Sequence, residues 1–302
     1  MTPGTPAPPD SWIESPVTPG PPDLIPGLLP RRSALLITGE TEVGKTLVGL
    51  EIAHSVITGV PLWGKVQPTG QVARVTYILG EHHEDTLRLL WHKMGLEVPA
   101  RTLRLVGPRS RHAIVARGEL MRRNAATYQE WCADSELVIF DPLSAFAAGV
   151  DAENDASTMR TCINGMEDVA GACNASLVIL AHMGKPRFDQ REGTYKQRGS
   201  YASRGSSSIE DAVTSCFYMK EGRGEAGIVF RLERRKYKGD APKIYLLKRD
   251  DTTLRQTLVG GGIPPSQLAV IRGESGRLGG RPKTKPDRVL SSVLVSDPQK
   301  CE

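Results

Sequence analysis

The sequence has 302 residues, a formal net charge of +5 at pH 7 and a pI of about 9.0, which favours a polyanionic partner but also suits an ordinary enzyme. Apolar residues make up 39% and aromatic residues 5%, so the chain can build a core, and we expect that core to be aliphatic. No stretch has the apolar length of a membrane span and the N-terminus lacks the features of a secretory signal, which predicts a cytoplasmic protein without membrane association. The five cysteines do not have the spacing of zinc ligands, which predicts reduced thiols.

The first part of the chain predicts an arm followed by a layered α/β domain. Residues 1–23 are dense in Pro and Gly and predict a flexible arm, whereas the apolar stretch Leu24–Leu29 is expected to pack on the domain that follows. From Ser33 to about Asp251, apolar runs alternate with helical patterns, which predicts a mostly parallel sheet with helices on both faces. The predicted strands cover 34–38, 72–79, 102–106, 136–140 and 176–181, and the predicted helices cover 46–59, 85–95, 118–135 and 155–174.

The pattern changes after His182. Residues 183–208 are polar and basic and predict a long loop, which in a compact domain is usually functional or disordered. The segments 215–220, 227–238 and 243–250 predict edge strands, and the chain beyond about residue 260 is rich in Gly, Pro, Lys and Arg. We therefore expect a domain over 24–259, with antiparallel strands near its C-terminal edge, and a basic tail over 260–302.

One motif between the first predicted strand and the first predicted helix carries clear chemistry. Residues 39–46 read GETEVGKT and fit G-x-x-x-x-G-K-[ST], in which the glycines let backbone amides face phosphate oxygens, the lysine reaches the β- and γ-phosphates and the threonine hydroxyl binds Mg²⁺. The following helix directs its positive N-terminal end at the same phosphates. The pattern thus predicts a site for ATP and Mg²⁺ made of Gly39, Glu40, Thr41, Glu42, Val43, Gly44, Lys45 and Thr46.

Three further polar residues follow predicted strands, at the sheet edge where open α/β sheets bind ligands. Glu81 could orient or deprotonate the attacking water, or it could equally be a surface residue that caps the next helix. Glu84 or Asp85 could serve as that helix cap instead. Asp141 ends an apolar strand, which is the pattern of a carboxylate that holds Mg²⁺. His182 could contact the γ-phosphate or the water, or could simply end its strand.

The basic loop contains Arg198 and Arg204 among Gly and Ser residues. An arginine here could reach a γ-phosphate across a subunit interface, or it could bind nucleic-acid phosphates. A solvated basic loop is the plain alternative. The neighbouring glycines and serines favour a functional loop.

The order of these features resembles the RecA-like ATPase core and, more closely, the RepA-type hexameric replicative helicases of an AAA_25-like group. The resemblance covers about residues 24–251 and implies Lys45 and Thr46 on ATP and Mg²⁺, Glu81 as catalytic base, Asp141 as the second acidic metal residue and His182 as γ-phosphate sensor. The matching stretches are LIPGLLPRRSALLITGETEVGKT, VTYILGEHHED, LVIFDPLSAF, LVILAHMGK, RGSSSIEDAVTSCFYM and RRKYKGDAPKIYLLKRDD.

The resemblance also implies Arg204 as an arginine finger acting on a neighbouring subunit and Lys236 as a basic residue that reaches the neighbour's nucleotide. The phosphate-loop residues ETEV depart from the small residues that such proteins often have. The Pro-rich arm and the basic tail have no counterpart, and either could recruit a replication or loading partner.

These features together predict a ring that moves on single-stranded DNA, and the resemblance implies that the ring has six subunits. The loops Gly149–Asp155 and Arg187–Arg204 would line its channel, with Tyr195 and Tyr201 as stacking partners. Two alternatives stay open: an ATPase that loads or regulates other proteins on DNA without unwinding, and a nucleotide-gated binding module with slow or absent hydrolysis.

Overall fold

The computed structural model of the chain describes residues 22–107, 125–146, 156–182, 187–189, 194–196, 207–224, 227–236 and 244–261. Its helices are α1 (Lys45–Thr58), α2 (Glu84–Lys93), α3 (Ala125–Cys132), α4 (Ala156–Ala172) and α5 (Ser207–Ala212), with a short 3₁₀ turn at Leu143–Ala145. Its strands are β1 (Ala34–Gly39), β2 (Val75–Leu79), β3 (Leu103–Val106), β4 (Leu137–Asp141), β5 (Ser176–His182), β6 (Arg187–Asp189), β7 (Thr194–Lys196), β8 (Ser215–Gly224), β9 (Gly227–Lys236), β10 (Ile244–Arg249) and β11 (Gln256–Gly261).

Nine strands form one mixed sheet in the order β11-β10-β9-β8-β1-β5-β4-β2-β3. Strands β8, β1, β5, β4, β2 and β3 pair in parallel, while β9, β10 and β11 add to β8 in antiparallel fashion. The remaining strands, β6 and β7, form a separate hairpin. The predicted fold class, a mostly parallel sheet with antiparallel strands near the C-terminal edge, is confirmed.

Helices cover both faces of the parallel strands because side chains alternate along each strand. On β1, Leu35 and Ile37 join the apolar layer beneath α1 and α2, and Leu36 joins the layer beneath α3, α4 and α5. Every residue of β1, β2 and β4 is buried, as expected for strands packed on two sides. The predicted two-faced core therefore follows directly from the continuous apolar runs.

The stretch that precedes β1 packs on the domain as predicted. Leu24, Ile25, Leu28 and Leu29 are all buried in the layer shared with α1. The carbonyls in this stretch accept hydrogen bonds from the later strands: Gly27 O from Tyr245 Oη at 3.1 Å, and Leu28 O from a β8 serine at 3.2 Å. These two hydrogen bonds join the stretch before β1 to the antiparallel half of the sheet.

Two expectations about the late strands were wrong. None of the strands β8, β9 and β10 is at an edge, because each lies between two other strands, and the edge of this half is β11. Strand β11 was not predicted at all, since its sequence QTLVGG is short and contains two glycines. It is held by pairing with β10 and by Leu258 N, which donates to Trp63 O at 3.1 Å.

Several element bounds also differ from the sequence prediction. Strand β2 begins at Val75 rather than at residue 72, because Val72 N bonds to Val56 O at the end of α1 instead of to a neighbouring strand. Helix α3 ends at Cys132, and Asp134 follows with a left-handed φ of 65°. The predicted long loop 183–208 contains the β6–β7 hairpin and the start of α5; its other residues lie outside the described part of the chain.

The strand register brings the candidate site residues to one edge of the sheet. Gly39 at the end of β1 is opposite His182 at the end of β5. Leu79 at the end of β2 is opposite Asp141 at the end of β4. The carboxyl ends of four parallel strands therefore meet beside the N-terminus of α1.

Candidate functional site

The loop between β1 and α1 has the tight backbone that its motif predicts. Gly44 has a left-handed φ of 100° and directly precedes the first residue of α1. A Cβ on Gly39 would lie 2.4 Å from Met219 O, so only glycine allows this close approach of β1 to β8. Glu40 and Glu42 are both exposed, so neither carboxylate is packed into the protein interior.

Lys45 is a buried cation at the base of this loop. Its Nζ donates to Gly39 O at 3.0 Å and to Glu40 O at 2.5 Å, so the loop's own carbonyls hold the ammonium in place. Burial lowers the pKa of Lys45 to about 8, against the opposing effect of the carboxylates of Asp141, Glu81 and Glu40. A phosphate group at the loop would supply the charge partner that this ammonium lacks in direct contact.

Thr46, Asp141 and Tyr77 form one hydrogen-bonded group. Thr46 Oγ1 and Tyr77 Oη each donate to Asp141 Oδ2 at 2.8 Å. Asp141 is 4% exposed, and burial raises its pKa while the two hydroxyl bonds lower it. Two donors on one oxygen fix the carboxylate against the first turn of α1.

The sequence reasoning did not identify Tyr77. It lies in the middle of β2 and is fully buried, and burial together with Asp141 raises the pKa of its phenol. The available signal was a tyrosine within a strand predicted to be buried on both faces, because a buried phenol needs a hydrogen-bond partner. A Cβ on Gly49 in α1 would lie 2.8 Å from Tyr77 Oη, so glycine makes room for the hydroxyl.

Glu81 and His182 face each other beside this group. Glu81 Oε2 lies 3.7 Å from His182 Nε2, and the two side chains are 49% and 27% exposed. Burial and the nearby Lys45 lower the pKa of His182, against the raising effect of Glu81 and Asp141. The imidazole is therefore mostly neutral at pH 7, with one nitrogen able to donate and one able to accept.

Gly80 brings the end of β2 into contact with the turn after β4. Its N–H donates to Asp141 O at 2.6 Å, and a Cβ on it would lie 2.2 Å from the Cβ of Ala145. The neighbouring Glu84, considered from sequence as a helix cap, instead accepts a hydrogen bond from Gly107 N at 3.0 Å through its Oε1. Glu81 follows Gly80 directly, two residues beyond the end of β2.

The structure does not describe the side chains of the remaining predicted residues. Arg198 and Arg204, Tyr201 and the segment 149–155 lie outside the described part of the chain, and Tyr195 and Lys236 are described only as members of β7 and β9. Their proposed roles stay predictions.

The residues present fit a nucleotide with a divalent cation. A threonine hydroxyl and a carboxylate oxygen, 2.8 Å apart, are hard oxygen ligands of the kind that Mg²⁺ takes together with substrate phosphates. Within the described residues, no group of three or more His, Cys, Asp or Glu side chains could hold a metal by itself. In the same ranges, no helix is long and apolar enough to cross a membrane, and Cys132, Cys162, Cys173 and Cys216 are free thiols.

Comparison with known proteins adds the family. A search of curated proteins finds no match to the chain. Residues 4–187, which include the phosphate loop and the strand ends that carry Glu81, Asp141 and His182, match the family AAA_25, described as an AAA domain. The match and the geometry of the loop agree, and the chain therefore belongs to the AAA_25 family and is a P-loop ATPase.

Proposed function

We propose that this ATPase hydrolyses Mg²⁺-bound ATP at the carboxyl ends of β1, β2, β4 and β5 and couples hydrolysis to movement along single-stranded DNA. The observation that carries the proposal is the Glu81–His182 pair, with 3.7 Å between Oε2 and Nε2, at the same sheet edge as Lys45. Such a pair suits the activation of water beside a γ-phosphate.

Each residue has a distinct part in this chemistry. Lys45 would neutralise the β- and γ-phosphates, and Thr46 and Asp141 would hold the cation, which would withdraw charge from the phosphates. Glu81 is half exposed, so water can reach it, and it accepts the proton of the attacking water. The neutral His182 donates a hydrogen bond to the γ-phosphate or to that water.

The proposal includes a ring of six subunits, because the half-exposed Glu81 leaves room for a group from a neighbouring subunit. Among the described residues, Lys45 is the cation whose charge acts on both Asp141 and His182. An arginine from a neighbouring subunit, for which Arg204 is the candidate, would complete the charge at the γ-phosphate, and hydrolysis would then require assembly.

A cationic surface on β8 and β9 supports a polyanionic partner. Lys220, Arg231 and Arg235 all contact one carboxylate, that of Glu233, at 2.9, 3.1 and 3.8 Å. Arg235 also lies over the ring of Tyr218, 5.3 Å from its centroid. Three cations on one anion leave a net positive charge, which suits the phosphates of single-stranded DNA.

The first test is steady-state ATP hydrolysis with and without single-stranded DNA. We expect DNA to stimulate turnover, Lys45→Ala to abolish it, and Glu81→Gln to reduce it by about 10²-fold or more while ATP binding is retained. The matched control is Glu97→Gln, which neutralises an exposed carboxylate in the segment after α2. Normal turnover in Glu81→Gln would rule out the assigned base.

The second test asks whether neighbouring subunits share a site. Lys45→Ala and Arg204→Ala subunits, each inactive alone, should regain activity when mixed, and the native mass should be near that of six subunits. A rate of ATP hydrolysis that single-stranded DNA does not change would favour a loader or regulator of other proteins. Binding without hydrolysis would favour a nucleotide-gated module that recruits partners through the arm or the tail.

A further inference from the structure

Two side chains from the antiparallel half of the sheet lie against the phosphate loop. Arg249 ends β10 and Gln256 begins β11. A Cβ on Gly44 would be 3.5 Å from Arg249 Nη1 and 3.5 Å from Gln256 Nε2. The β10–β11 hairpin therefore forms a wall of the nucleotide site on the side of Gly44.

The polar atoms on this wall lack partners. Gln256 is 3% exposed, yet both its Nε2 and its Oε1 are buried without a hydrogen-bond partner among the described residues. The Nε atom of Arg249 is in the same situation. Buried polar groups are nearly always hydrogen-bonded, and leaving one unpaired costs free energy, so these atoms indicate a missing ligand.

Both residues are held in place by contacts that leave those atoms free. The Arg249 guanidinium lies over the ring of Phe230, 4.5 Å from its centroid. Gln256 is fixed through its backbone, since its N–H donates to Glu51 Oε1 at 2.7 Å. Glu51 belongs to α1, so the hairpin is attached to the same helix that begins at the phosphate loop.

Glu51 is itself firmly held. Trp63 Nε1 donates to its Oε2 at 3.0 Å, and Arg255 Nε lies 3.4 Å from its Oε1. The carboxylate is 3% exposed and connects α1, the turn after α1 and the start of β11. Glu51 is thus a positioning residue, and Gln256 reaches the loop on a rigid support.

The sheet order indicates which part of a nucleotide this wall would meet. The groups for the γ-phosphate come from β2, β4 and β5, on one side of β1, whereas β10 and β11 belong to the other side. A nucleotide whose γ-phosphate is near Glu81 and His182 would direct its other end toward Arg249 and Gln256. That end carries the α-phosphate and the ribose.

We infer that Arg249 binds the α-phosphate and Gln256 binds a ribose hydroxyl of a ribonucleoside di- or triphosphate, an inference that rests on nucleotide binding at the loop as proposed above. A guanidinium offers several N–H donors to phosphate oxygens. A carboxamide has a donor and an acceptor and so matches a hydroxyl, which is both. The contact is independent of the γ-phosphate, so it should serve ADP and ATP alike.

The test is equilibrium binding of ADP, a non-hydrolysable ATP analogue and inorganic tripolyphosphate to the full chain. Arg249→Met should weaken all three ligands by about tenfold or more, because it removes a charged donor to phosphate. Gln256→Leu should weaken the two nucleotides by at least about threefold and leave tripolyphosphate unchanged, because that ligand has no ribose. The matched control is Lys248→Met on the same strand, whose exposed side chain should not affect binding.

A stability measurement separates ligand binding from a structural role. Gln256→Leu should not lower the unfolding temperature of the ligand-free protein, because the groups it removes have no partner, but it should reduce the temperature rise caused by ADP. If Arg249→Met fails to fold, Arg249→Lys keeps the charge without the forked geometry and should still weaken ADP. If the wild type binds ADP and both variants bind it with the same affinity, the inference is overturned. If the wild type does not bind ADP, the proposed function is overturned instead.

Discussion

Replacing Tyr77 with Phe removes one hydroxyl from the centre of the site and leaves the packing of the ring unchanged. Tyr77 Oη donates to Asp141 Oδ2 at 2.8 Å, and both side chains are buried. A hydrogen bond to an ionised group is worth about 1.5–3 kcal/mol. Because Thr46 still donates to the same oxygen, we expect Tyr77→Phe to lower the free energy of unfolding by about 1.5–3 kcal/mol and to raise the pKa of Asp141 further.

The assay is urea unfolding at about pH 8 in a double-mutant cycle with Asp141→Asn. If Tyr77 acts through the carboxylate, the two substitutions should be non-additive by at least about 1 kcal/mol. Tyr245→Phe is the matched control, since Tyr245 is also buried but donates to a neutral carbonyl, Gly27 O, and should lose only about 0.5–1.5 kcal/mol with no coupling to Asp141. Additivity of Tyr77→Phe and Asp141→Asn within about 0.5 kcal/mol would refute the reasoning.

Three further predictions concern charge and close packing. Burial raises the pKa of Glu51 from 4.5 to about 7, so the folded state holds this proton more tightly than the unfolded state, and the stability that this provides is lost as pH rises from 4.5 to about 7. Glu51→Gln should therefore remove about 3 kcal/mol of the pH dependence of the free energy of unfolding, measured by urea titration, and an unchanged pH dependence in the variant would contradict this. Burial lowers the pKa of Lys45 to about 8, so the affinity for ADP should fall by up to about tenfold per pH unit above that value. Calorimetry should show that protons are taken up when ADP binds in this pH range, and an affinity that does not change with pH would contradict the prediction. Gly80→Ala should lower the free energy of unfolding by about 1–3 kcal/mol in urea titrations, because the added Cβ clashes with Ala145, and Ala145→Gly should restore part of that loss. In the control Gly171→Ala, the added Cβ meets no atom within 4 Å, so the free energy of unfolding should be unchanged or higher.

The phosphate loop consists of consecutive residues, so the sequence alone predicts it. The motif from Gly39 to Thr46 needs a strand before it and a helix after it, and the neighbouring apolar patterns supply both. Asp141 and His182 follow apolar runs long enough to be buried strands, and the carboxyl ends of parallel strands meet at one edge of a sheet. Local pattern alone therefore predicts which strand ends meet beside the loop, as the strand register shows.

Sequence pattern alone also determined the two-faced α/β core, because runs such as ALLIT and ELVIF are apolar on both sides of the strand. It did not determine the place of β8 in the sheet or the existence of β11. Strand pairing is a long-range contact, and a short strand with two glycines, QTLVGG, forms only because β10 and Trp63 provide its hydrogen bonds.

Only the tertiary structure brought Tyr77 to Asp141 and placed Arg249 and Gln256 beside Gly44. Tyr77 and Asp141 are 64 residues apart in sequence, and the direction of the tyrosine hydroxyl depends on the space left by Gly49 in α1. Gln256 reaches the phosphate loop because a buried carboxylate, Glu51, fixes its backbone across 205 residues of sequence. Such contacts join residues that are far apart in the sequence, and no local pattern of residues records them.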